Sequence, residues 1–81
     1  MPYIKPLDRE RFEDVKFIDP DNAGELNYVF TKIAHNYIKN KGEKYQHYND
    51  LIGALEGAKL ELYRRYITPY EDKKIGENGD V

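Results

Sequence analysis

Seven apolar residues, Leu26, Val29, Phe30, Ile33, Ala34, Tyr37 and Ile38, recur at steps of three and four. That period lines one side of an α-helix and constrains this chain more than any other feature. The spacing predicts a helix over residues 22–41. Asn22 followed by Glu25 has the form of a capping box at its start, Lys39 and Lys41 place cations at the negative end of its dipole, and Gly42 ends it. A second periodic run, Leu51, Leu55, Ala58 and Leu62 flanked by Ile52 and Tyr66, predicts a helix over residues 49–67. Its length and spacing make it the antiparallel partner of the first, across a tyrosine-rich loop at 43–48.

The flanks read as shorter pieces. Two prolines around Tyr3, Ile4 and Lys5 favour an extended arm over residues 1–6. Residues 7–18 mix both charge signs around Leu7, Phe12, Val15 and Ile18, a narrow stripe suited to a short surface helix. Asp19-Pro20-Asp21-Asn22 interrupts it. Thr68-Pro69-Tyr70-Glu71 has the form of another capping box, with proline at the first helical position, and predicts a sharp turn into a fourth helix over 69–75. Residues 76–81, with Asn78-Gly79, read as a turn and tail. No alternating strand pattern occurs, so the expected fold is all-α: one small domain built on an antiparallel helical hairpin.

Composition then limits what that domain can do. Apolar residues make up 40% of the 81, but eight of them are tyrosines. Without those, about 30% of the chain is true hydrophobe, a modest core against an ordering entropy of roughly 1.5 kcal/mol per residue. Oligomerisation is the natural remedy. A net charge of -2 argues against bulk electrostatic binding of nucleic acid, which is not expected as a partner. The absence of cysteine excludes disulfides, zinc ribbons and thiol chemistry. Apolar stretches of only a few residues, and an N-terminus without a signal-peptide pattern, lead us to expect a cytoplasmic protein with no membrane partner.

Three groups of residues carry functional expectations, each beside a plainer reading. Tyr28, Thr31 and His35 fall opposite the apolar side of the second helix, a polar stripe with two rings that either binds a ligand or is an ordinary solvated face. Gly53 and Gly57 stand four apart inside the third helix, where each costs about 1 kcal/mol relative to alanine. With Leu60 and Arg64 they form a row suited to close backbone approach by another copy; simple tolerance, or packing of the N-terminal arm, is the alternative. Lys59, Arg64 and Arg65 offer charge and guanidinium forks for a phosphate or carboxylate; the plainer reading is a solvated surface with weak salt bridges to Glu61.

Chemistry beyond binding is not visible. His35 and His47 lack carboxylates at metal-ligand spacing, and no phosphate-cradling glycine loop or nucleophile arrangement occurs. No cofactor, no metal and no enzymatic activity are expected.

The strings PYIKP at 2–6, NAGELNY at 22–28, YNDLIGALEGAKLELYRR at 48–65 and PYEDKKIGENGDV at 69–81 together resemble a family of uncharacterised bacterial and phage proteins of about 80 residues. The resemblance implies a compact helical domain and names no activity. The third helix, ending in YRR before an acidic-basic segment, is also similar in pattern and size to the C-terminal helix of phage anti-defence sponges. These are small helical oligomers that sequester immune signalling nucleotides. That similarity implies a non-enzymatic homo-oligomer binding a nucleotide-type ligand between subunits. Phosphate would be met by Lys59, Arg64 and Arg65, bases by Tyr28, Tyr63 and Tyr70, and polar selectivity would come from Asn27 and His35. Self-association would use Gly53, Gly57 and Leu60. The alternative is a small interaction module that binds a host or phage protein through its tyrosine-rich surface.

Overall fold

The computed structural model describes residues 4–81, and of residues 15–17 the backbone alone. The described residues are all-α, with no strand: α1 (Pro6–Arg9), a 3-10 segment (Glu10–Phe17), α2 (Ala23–Lys41), α3 (Tyr45–Leu62), a π turn (Tyr63–Ile67) and α4 (Thr68–Asn78). They divide into two units, residues 1–32 and 33–81, which are taken separately.

In the first unit, Lys5 is extended and Pro6 opens α1 at the position where a missing N–H costs nothing. The Arg9 Nε donates back to the Ile4 carbonyl at 2.8 Å. The α-helix expected over 7–18 lasts only through Arg9 and gives way to 3-10 geometry. That helix is tighter and its hydrogen bonds are poorer. The narrow apolar stripe there has nothing to pack on: Phe12 is exposed, with the Arg11 guanidinium 4.7 Å from its ring centre. Val15 lies among the residues whose side chains are not described.

The start of α2 is built by side chains. Asn22 Oδ1 accepts from the Glu25 N–H at 2.9 Å, so the asparagine satisfies a donor that the helix leaves unpaired. The Glu25 carboxylate reaches back to the Asp21 N–H at 3.1 Å and to the Asn22 amide at 3.2 Å. This is a capping box whose return bond falls one residue earlier than the usual form.

The second unit begins inside α2. Gly42 stops that helix in the left-handed region, φ +102°, and its N–H closes the last turn onto the Ile38 carbonyl at 2.7 Å. Residues 43–48, expected as a loop, are helical from Tyr45 onward. Lys44 is extended and its carbonyl takes the His47 and Tyr48 N–H groups, while the His47 ring bonds the Gly42 carbonyl at 2.8 Å. A carbonyl can only accept, so Nδ1 of His47 carries the proton.

The sharp turn expected at Thr68 does not occur. Thr68 is helical (φ −60°, ψ −48°) and its hydroxyl makes no cap. Pro69 would leave the Arg65 carbonyl without its α-helical donor and crowd it. The chain widens there instead, sending the Thr68 N–H to the Tyr63 carbonyl five residues back, and helix continues from Tyr45 to Asn78. Gly79 at φ +83° ends it, its N–H bonded to Ile75 at 2.8 Å, so the expected tail shrinks to residues 79–81.

No described side chain is buried, and the apolar residues of α3 and of the end of α2 are exposed or half-buried. The side-by-side contact of two helices that the spacing implies is absent within residues 33–81: the segment Ile33–Lys41 does not pack on α3.

Candidate functional site

The expected site residues separate by unit. Asn27 and Tyr28 belong to residues 1–32, on the first half of α2. The Asn27 carbonyl accepts from the Thr31 hydroxyl at 2.9 Å, and its side-chain oxygen lies 3.4 Å from the same hydroxyl. Tyr28 is exposed.

In residues 33–81, His35 lines a depression of about 310 Å³ with Ile38, Lys39, Gly42 and Glu43. No other residue of the expected ligand set lines it. Lys59 pairs along the helix with Glu56 at 3.6 Å, both well exposed, an ion pair worth little. Gly53 and Gly57 face open space, with nothing within 4 Å of where a Cβ would stand, and Leu60 on the same row is exposed.

The structure brings Arg64 and Arg65 together on Glu61. Both guanidinium groups converge on one carboxylate oxygen, Oε1, Arg64 at 2.7 Å and Arg65 closer still. The Glu61 side chain is 18% exposed, while its partners stand at 67% and 49%. Hydrogen bonds from Arg65 and then Arg64 hold its carboxyl down to about 2, against an ordinary 4.5, and Arg65 is raised in return. The cluster therefore carries two positive charges and one negative. The arginines lie in the π turn with Tyr63, Tyr66 and Ile67. Single π turns inside α-helices often mark functional positions. Tyr70 follows one turn later, with the Lys74 ammonium 5.6 Å from its ring centre.

Two features were outside the expected set. Glu61, read only as the arginines' salt-bridge partner, is the residue that organises them, and its position three and four residues before them is the signal. The π turn has Pro69 as its only trace in the sequence. Among the described residues no group of histidine and carboxylate side chains is placed to hold a metal ion, and no helix is long and apolar enough to cross a membrane.

Fold and cluster together define a small all-α domain with its charged and aromatic groups on helix surfaces. The chain belongs to the family described as Domain of unknown function (DUF6899), whose model matches residues 1–81. No curated protein and no solved structure matches it.

Proposed function

We propose that this protein is a non-enzymatic binding protein made of several copies of the chain, which sequesters a nucleotide-type ligand. The observation that carries the reading is the missing core. The chain exposes 7609 Å², whereas a folded monomer of 9.6 kDa exposes about 5,100 Å². The excess, roughly 2,500 Å² per chain, is the scale of surface that obligate homo-oligomers bury. Assembly would also supply the walls of a ligand pocket, which helix surfaces alone do not enclose.

The ligand class is supported by chemistry at the π turn. Arg64 and Arg65 suit a phosphate, and the exposed rings of Tyr63 and Tyr70 suit a stacked base. Changing both arginines to alanine should abolish binding and leave helical content intact. A second reading, a module that binds a host or phage protein, draws on the exposed tyrosines and on the fact that Glu61 already partly neutralises the arginines. A phage origin and an anti-defence role belong to the first reading.

Native mass spectrometry of protein taken gently from cells tests both. An oligomer retaining a nucleotide-sized mass supports sequestration. An oligomer without one, whose melting temperature does not move with nucleotides, favours the protein-binding module. A bare monomer at tens of micromolar refutes the assembly.

A further inference from the structure

The apolar stripes of α2 and α3 match each other in one antiparallel register. Along α2, Leu26, Phe30, Ile33 and Tyr37 are separated by steps of four, three and four. Along α3 read backwards, Leu62, Ala58, Leu55 and Leu51 are separated by the same steps. Laid side by side in opposite directions, the helices stack four layers, Leu26 with Leu62, Phe30 with Ala58, Ile33 with Leu55 and Tyr37 with Leu51. The layers extend over about 16 Å at the α-helical rise. Every layer is apolar on both sides, and the one alanine meets the phenylalanine, the large-to-small pairing that interdigitated helices favour.

The chain does not close these layers on itself in residues 33–81. Ile33 stays 57% exposed and Leu55 43%. The link between the helices is satisfied in this unpaired form: the Gly42 carbonyl accepts from both Lys44 N–H and the His47 ring, and the Lys44 carbonyl from two N–H groups of α3. Four of the linker's hydrogen bonds would have to break or rearrange for a tight reversal within one chain.

We infer that the four layers are closed between copies: α2 of one chain lies antiparallel on α3 of a second, and the second returns the contact. The occupant of the stripe on α3 is thus a second copy of this chain. Exchange of this kind is a low-cost route to a symmetric dimer, because the contacts are those the sequence already encodes. It gives a four-helix core to a chain that has none and accounts for area missing from the monomer. The inference rests on the assembly part of the proposed function and adds which helices meet and in what register.

The chain has no cysteine, so single cysteines report only where they are placed. Ile33→Cys and Leu55→Cys, each made alone in the full chain, are mixed, unfolded and refolded together, and oxidised. The inter-copy register predicts a disulfide-linked heterodimer from the mixture that neither variant forms alone in comparable yield. The double variant I33C/L55C gives the opposite signature if the pairing lies within one chain: a monomer with an internal disulfide at high dilution. That result overturns the inference. Tyr37→Cys with Leu51→Cys repeats the test one layer away, so that loss of folding at one layer does not decide it. Helical, oligomeric variants that crosslink at neither layer overturn the register alone and leave assembly standing. Variants and wild type that are all monomeric by native mass spectrometry overturn both.

Discussion

Replacing Gly53 and Gly57 with alanine separates the stability of the helix from the assembly of the protein. Both glycines lie well inside α3, and a Cβ at either position would meet nothing within 4 Å. In the chain by itself the substitution carries no steric cost. Alanine is favoured over glycine by about 1 kcal/mol in a helix interior, so the pair should stabilise α3 by about 2 kcal/mol. In a domain of this size that raises the melting temperature by roughly 10 °C. If a neighbouring copy approaches closely along the Gly53, Gly57 and Leu60 row, the two methyl groups occupy the space it needs. The double variant should then assemble into fewer copies than wild type, while the dissociated chain is more helical. Sedimentation equilibrium gives the stoichiometry, and circular dichroism melts at several concentrations give the stability. A variant that keeps wild-type stoichiometry at every concentration and melts higher would refute a close approach on this face.

Further outcomes follow from the caps and the arginine cluster. Asn22→Ala removes the acceptor for the Glu25 N–H and the amide that holds the Glu25 carboxylate; the variant should be less stable by about 1 kcal/mol in urea unfolding. Gly42→Ala forces an L side chain to φ +102°, a conformation costing roughly 1–2 kcal/mol, and should lower the melting temperature although the site has room for a methyl group. The Glu61 carboxyl is depressed in the folded chain, so its stabilising contribution is fully present above pH 4.5 and is lost as pH falls toward about 2. An acid titration followed by circular dichroism should show a loss of helix in that window for wild type that is smaller in Glu61→Gln; identical curves would show that the ion pairs do not support the helix.

What the sequence reveals of this fold depends on how local the cause is. The ends of α2 are set by Asn22, Glu25 and Gly42, each acting through its own or an adjacent turn, and such causes are readable residue by residue. The early start of α3 comes from the His47 ring reaching five residues back to a carbonyl, a contact that no spacing rule announces. At Thr68 and Pro69 two local signals compete. Threonine, proline and Glu71 spell a helix start, but the chain is already helical, and widening one turn removes the conflict at less cost than stopping. The stripes of α2 and α3 are plain in the sequence; whether one chain closes them on itself is a property of the link between them, and there the hydrogen bonds of Gly42 and Lys44 decide. Of the site, the pairing of Glu61 with two arginines follows from helical spacing, whereas their placement in a π turn does not.

The π turn also makes the length of this segment an adjustable quantity. An α-helix advances about 100° per residue, so removing one residue between Tyr63 and Ile67, which would restore ordinary α geometry, rotates everything beyond it by about that angle relative to α3. Tyr70 and Lys74 would turn to another side, while Leu51, Leu55 and Leu62 kept theirs. Relatives that differ by a single residue in this stretch would therefore share α3 and its pairing but present a different surface with α4, a change of partner achieved by phase and not by any substitution in the surface itself.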